Sequence, residues 1–200
     1  GIIHRFQTIE EQVRQYRFGN TGFIKEIDNK NLKTTDISVF NSKYCACAIG
    51  VTGDYQERFK ELYKAGCRIF CLDTANGANK LVEKAVKWIR DIEQIKIRST
   101  QTMILHGSNK QLPEKIYIIA GNIATAQGYK FLADLGVDFV RVGLAGGSIC
   151  VTRTETGVYF PMVSSILECV EKKYYMSRTY SGREGFHIDK EKFKSLPLII

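Results

Sequence analysis

Asp138-Phe-Val-Arg-Val-Gly-Leu-Ala-Gly-Gly-Ser-Ile-Cys-Val-Thr-Arg-Thr-Glu-Thr-Gly-Val-Tyr-Phe-Pro161 is the stretch on which the fold turns. Phe139, Val140 and Val142 read as a buried strand. Gly143, Gly146 and Gly147 then form a turn in which backbone amides and carbonyls can approach a ligand, because no Cβ stands in the way. Ser148 to Thr152 sets Cys150 between two hydroxyl side chains. A cysteine on a loop that follows the carboxyl end of a parallel strand lies where barrel enzymes keep their chemistry. From these residues alone, a buried packing cysteine beside an ordinary glycine-rich loop explains the pattern equally well.

The pattern of strand, then turn, then helix recurs on both sides of this stretch. Gly1 to His4 reads as the end of a strand, and Thr8 with Glu11 as a capping box opening a short helix to about Arg17. Phe18 to Asn41 is polar and aperiodic, a loop. Tyr44 to Val51 is a buried strand, and Asp54 is placed to cap a helix whose apolar stripe is Phe59, Leu62 and Tyr63 and whose stop is Gly66. Cys67 to Leu72 is the next strand. Leu81, Ala85, Trp88, Ile89 and Ile92 recur at helical spacing from about Asn79 to Glu93, with Trp88 read as packing. Lys96 to Glu114 reads as a polar insertion. Ile116 to Ala120 is a strand, Thr125 to Leu135 a helix with Tyr129, Leu132 and Leu135 inward, and Gly136 its stop. After Pro161, Val163, Ile166, Leu167 and Val170 mark a helix; Tyr174 to Lys194 reads as a surface loop and Leu196 to Ile200 as another strand. Apolar, non-alternating strands between helices predict a parallel sheet.

Two hundred residues, 44% hydrophobic, can bury a substantial core, and one domain over 1–200 is the expectation. The net charge of +8 suits anionic ligands such as nucleotides. It would also suit nucleic acid, but the basic residues are scattered, so a nucleic-acid partner is not favoured. Tyr174 to Lys194, rich in Tyr, Ser, Arg and Lys, is where stacking on a nucleic acid would occur. Six cysteines show neither metal-ligand nor disulfide spacing, which suits reduced thiols in a cytoplasmic protein. His4, His106 and His187 have no partners at ligand spacing. No apolar run is long enough to span a bilayer, so no membrane partner is expected.

Gly143 to Arg153, with Thr156-Gly-Val after it, resembles the cysteine loop of the IMP dehydrogenase/GMP reductase family. The resemblance extends through Gly1-Ile-Ile-His-Arg, Gly50-Val-Thr-Gly-Asp-Tyr, Leu72-Asp-Thr-Ala-Asn-Gly and Ala120-Gly-Asn-Ile-Ala-Thr-Ala, in the family's order. It implies a (β/α)8 TIM barrel, incomplete at both ends in this chain, since such barrels take about 250 residues. The chain starts without methionine and stops inside an apolar run, and alone it is expected to be inactive.

The resemblance assigns roles to particular residues. Cys150 would be the nucleophile that attacks purine C2 and forms a covalent thioimidate, a nicotinamide cofactor exchanging hydride at that carbon. Thr152 would move protons, and Ser148 would hold the nucleotide phosphate. Asp73, Thr74, Ala75, Asn122, Leu144 and Ala145 would meet the cofactor. Ala145, Gly147 and Cys150 carbonyls, with Arg153 alongside, match a potassium site, although the family has glycine where Ala145 stands. Alanine disfavours the positive φ a glycine takes there. Arg141 and Arg153, with loop amides, could lower the Cys150 pKa, since the thiolate is the reactive form.

Two branches fit. Ala75-Asn76-Gly77, the aromatic before Pro161 and Ser164 to Cys169 resemble the reductases, which convert GMP to IMP with NADPH; Gly1-Ile-Ile-His-Arg and Ser148-Ile-Cys resemble the dehydrogenases, which oxidise IMP to XMP with NAD. Met162 departs from the glutamine common to both. The balance of these motifs favours GMP reductase, with IMP dehydrogenase or a catalytically inactive nucleotide-binding relative as the alternatives. A homotetramer is implied by the resemblance alone.

Overall fold

A computed structural model describes residues 2–18, 45–106, 115–145, 154–155, 157, 159–179 and 198–199. The chain forms two compact units, Gly1–Leu72 with Trp88–Tyr117, and Asp73–Lys87 with Ile118–Ile200.

The first unit carries β1 (Ile2–Ile3), α1 (Ile9–Phe18), β2 (Ala46–Ile49), α2 (Tyr55–Lys64) and β3 (Ile69–Asp73) as far as Leu72. The three strands are parallel and lie in chain order, with Ile3 opposite Cys47 and Cys47 opposite Phe70. Every residue of β2 is buried, which is why its sequence is apolar without alternation. Thr8 and Glu11 close the expected capping box: the Thr8 amide donates to Glu11 Oε2 at 3.0 Å and the Glu11 amide to Thr8 Oγ1 at 3.2 Å. The backbone bond to Thr8 is the main cause that holds the Glu11 carboxyl below its ordinary range. Phe59 of α2 packs on Phe70 with ring centroids 4.5 Å apart and meets Trp88 edge-on at 5.3 Å, so Trp88 is a packing residue.

One expectation in this unit is corrected. Asp54 stands at the N-cap of α2, but its side chain makes no capping bond. It pairs instead with Arg58 Nη2 at 2.7 Å, because that guanidinium is almost fully buried and needs acceptors. Gln12 was unmarked in the sequence, yet it is fully buried. Its amide donates to Ala48 O at 2.8 Å and Ile3 O at 3.2 Å and accepts from Arg58 Nη1 at 2.8 Å, tying α1 to β1, β2 and α2.

α3 (Lys80–Leu105) runs beyond the expected end at Glu93 and takes in the first part of the 96–114 insertion. No Gly or Pro interrupts the chain between Lys80 and Leu105, so nothing in it stops the helix. Its buried face is Val82, Ala85, Val86 and Ile89, whereas Leu81, expected inward, is 46% exposed.

The second unit carries β4 (Tyr117–Ile123) from Ile118 onward, α4 (Ala126–Asp134), β5 (Phe139–Val142), α5 (Met162–Thr179) and β6 (Leu198–Ile199). β4, β5 and β6 are parallel and in chain order, with Gly121 opposite Arg141 and Val140 opposite Leu198. Thr125 caps α4 by accepting from the Gly128 amide at 3.2 Å, and Gly136 follows the helix with a φ of 74°. α5 begins where expected, directly after Pro161, and reaches Thr179, so the start of the expected 174–194 loop is helical. Its inward face is not the expected one. Val163, Leu167 and Val170 are 68, 63 and 45% exposed, and the small residues Ser165 and Cys169 are buried. Helices approach to a distance set by the side chains at their contact, so small residues suit the face pressed against α4.

Candidate active site

Every described site residue belongs to the second unit and stands at the carboxyl end of a strand. β3 ends at Asp73, and the turn 74–77 follows. Thr74 binds one acceptor twice, its amide and its hydroxyl both donating to Gly121 O at 2.9 and 2.8 Å. Asn122 N donates back to Thr74 O at 2.8 Å, and Gly77 N to Asn122 O at 2.8 Å. This close stitching needs two glycines. A Cβ on Gly77 would lie 2.8 Å from Gly121 Cα, and one on Gly121 would lie 2.5 Å from Arg141 Cβ. Ala75, by contrast, is exposed.

Across that glycine, Arg141 Nη1 donates to Asp73 Oδ1 at 2.9 Å, with both side chains 30% exposed. The register of β4 against β5 shifts between Gly121 and Ile123. Asn122 Nδ2 donates to Gly143 O at 2.8 Å, while Asn122 Oδ1 is buried with no hydrogen-bond partner among the described residues. A buried acceptor left without a donor costs about 1–3 kcal/mol, and a ligand's N–H or O–H would recover it.

Gly143 begins the cysteine loop with a φ of 124°. Its amide donates to Ile123 O at 2.7 Å, and Met162 Sδ lies 2.7 Å from where a Cβ would stand, so the first residue of α5 closes over the glycine. That contact was not legible, since Met162 registered only as a departure from family pattern. Leu144 and Ala145 follow, both partly buried, and Ala145 takes a φ of 53°. Alanine has therefore adopted the left-handed conformation that glycine takes freely.

The structure thus brings together Asp73, Thr74, Asn122, Leu144 and Ala145, with Ala75 beside them at the surface. Gly147, Ser148, Cys150, Thr152 and Arg153 lie outside the described residues. Arg141, expected to act on Cys150, donates to Asp73 from Nη1. The described cysteines are packing groups of a different kind: four of the five are buried, and burial, then Glu168, pushes the Cys169 thiol up to about 11. Among the described residues no group of three or more His, Cys, Asp or Glu side chains could hold a metal ion. No described helix is long and apolar enough to cross a membrane.

The IMP dehydrogenase / GMP reductase domain model matches residues 1–180. The chain belongs to that family. Among its relatives is an inosine-5'-monophosphate dehydrogenase of Nitrosopumilus maritimus, 37% identical over 124 residues, covering 62% of this chain and 22% of the relative. The enzyme of the same name from Streptococcus pyogenes is 35% identical over 157 residues, 78% of this chain and 28% of its own length. The one from Tritrichomonas foetus is 27% identical over 158 residues, again 78% and 28%. This member of the IMP dehydrogenase/GMP reductase family therefore spans about a quarter of the length of those relatives. Parallel strands alternating with helices over the matched span make its fold α/β, an incomplete TIM barrel.

Proposed function

We propose that the protein carrying this chain is a purine nucleotide oxidoreductase, an IMP dehydrogenase that converts IMP to XMP with NAD. The observation that carries the reading is the gathering of Asp73, Arg141 and Asn122 at the strand ends from which the cysteine loop departs. The family match supports the reaction class, and the names of the relatives support the dehydrogenase branch over the reductase. GMP reductase, with NADPH, is the second reading, resting on Ala75-Asn76-Gly77. Gly77 weighs little in that choice, because packing against Gly121 already demands a glycine there.

In this reading the Cys150 thiolate would attack purine C2, and a bound nicotinamide dinucleotide would supply the acceptor for the hydride leaving that carbon. Water then releases XMP from the Cys150 thioimidate, with Thr152 relaying protons and Ser148 holding the phosphate. Asp73 and the unpaired Asn122 Oδ1 are acceptors, which fits a ligand that presents N–H donors, as a carboxamide does. Arg141 and Arg153, with the loop amides, would lower the Cys150 pKa. A potassium ion would rest on the carbonyls of Ala145, Gly147 and Cys150, and Ala145 holds the positive φ that a glycine takes freely. A homotetramer is part of the same proposal.

Assays of the complete protein separate the branches: NAD reduction dependent on IMP is the expected result, and NADPH oxidation dependent on GMP would move the assignment to the reductase. Cys150→Ala should lower turnover at least about a thousandfold, as loss of a covalent nucleophile does. Nucleotide binding with no turnover in the unaltered protein would favour the inactive relative.

A further inference from the structure

We infer that Cys47 and Cys67 form a redox modification site, a pair of reduced thiols that a small peroxide converts to a disulfide. Both lie in the first unit, Cys47 within β2 and Cys67 just ahead of β3, and both side chains are fully buried. The Cys47 thiol donates to the Cys67 sulfur, which in turn donates to Ile69 O at 3.3 Å. The Tyr16 phenol belongs to the same cluster. Its hydroxyl donates to Gly66 O at 3.0 Å, beside Cys67, and burial, then the Cys67 and Cys47 sulfurs, push its pKa up. Cys45, half-buried, completes the group. A packing cysteine needs only apolar neighbours, whereas these two sulfurs touch each other across adjacent strands.

The two sulfurs are not equivalent. The hydrogen bond from Cys47 is the main cause that holds the Cys67 thiol below its ordinary value, against the opposing effect of burial. Arg68 adds positive charge beside it and is fixed there, its Nη1 donating to Tyr63 O at 3.0 Å and to Cys67 O at 2.9 Å. The same sulfur–sulfur bond, then burial, pushes the Cys47 thiol up. Cys67 is therefore the attacking sulfur and Cys47 the resolving one. The Cys67 thiolate attacks one oxygen of hydrogen peroxide and the O–O bond breaks. Hydroxide leaves, takes up the proton lost from Cys67 and departs as water, so Cys67 becomes a sulfenic acid. The Cys47 sulfur then attacks Cys67: the S–S bond forms, the S–O bond breaks, and the hydroxyl leaves with the Cys47 proton as a second water. Two thiols lose two electrons and the peroxide gains them. Burial selects the oxidant, since hydrogen peroxide is small and uncharged while glutathione disulfide is large and charged.

The test treats the folded, complete protein with hydrogen peroxide, unfolds it in excess N-ethylmaleimide to cap every remaining thiol, and digests it with trypsin without reductant for mass spectrometry. Cleavage after Lys43, Arg58, Lys64 and Arg68 releases peptides 44–58 and 65–68. They should appear joined, lighter by two hydrogens than their sum, with the maleimide on Cys45 and the link on Cys47. Dithiothreitol should separate them. Cys47→Ala should abolish the link and carry Cys67 on to the sulfinic acid, which dithiothreitol does not reverse. Glutathione disulfide at the same concentration should give at least about tenfold less of the link, because access limits exchange. A link through Cys45, a link formed only in unfolded protein, a glutathione adduct on Cys67, or two free thiols after Cys150 has been oxidised would each overturn the inference. Should Cys47→Ala fail to fold, the position of the maleimide in the unaltered protein still decides which sulfur is joined.

Discussion

Ala145 holds a φ of 53°, which for a residue with a Cβ costs about 1–2 kcal/mol. Ala145→Gly should remove that strain and give back about 0.5–1 kcal/mol of it as unfolded-chain entropy. A net gain of about 0.5–1 kcal/mol follows, measurable as a higher denaturation midpoint; a lower midpoint would contradict the strained conformation. The Cys169 thiol, which donates to Thr125 O at 3.7 Å, is pushed up to about 11 by burial. A raised folded-state value keeps the thiol neutral, so its contribution to stability is complete below its ordinary 9.0 and lost as pH rises through about 11. Tyr129, also raised by burial to about 12, acts in the same direction at higher pH. Denaturation series from about pH 8 to 11 should therefore fall more steeply for the unaltered chain than for Cys169→Ala. At this scale Asp73, Thr74 and Asn122 are marked out by the family resemblance of their motifs and not by residue type or spacing alone. Gln12 is not, since one amide on an amphipathic helix carries no sign of the carbonyls it will meet.

Among the elements, type and order were legible and faces were less so. β2 and β5 fall inside or on their expected bounds because short apolar runs between turn residues leave few alternatives. α3 was read too short because polarity was taken for a loop, although a polar stretch without Gly or Pro continues a helix readily. α5 shows the opposite limit. Hydropathy points to Val163, Leu167 and Val170, but packing uses Ser165 and Cys169. Leu167→Lys should accordingly change stability by no more than about 0.5 kcal/mol. Ser165→Leu should cost about 1–3 kcal/mol by overpacking the buried face. Equal costs for the two in chemical denaturation would mean that the helix presents its other face.

For the molecule as a whole, the β/α alternation and the family motifs are both legible in the sequence. The short segments favour GMP reductase, whereas the names of the relatives favour the dehydrogenase, and one residue of those segments, Gly77, answers to packing. The charge of +8 fits a nucleotide ligand without choosing which one. The account stands on covalent chemistry at Cys150, and mass spectrometry of its peptide after acid quench of the complete protein turning over IMP with NAD tests that most directly. The account predicts a purine nucleotide attached to the Cys150 sulfur in a fraction of the enzyme. Sustained turnover with that sulfur always unmodified, and undiminished in Cys150→Ala, would contradict it.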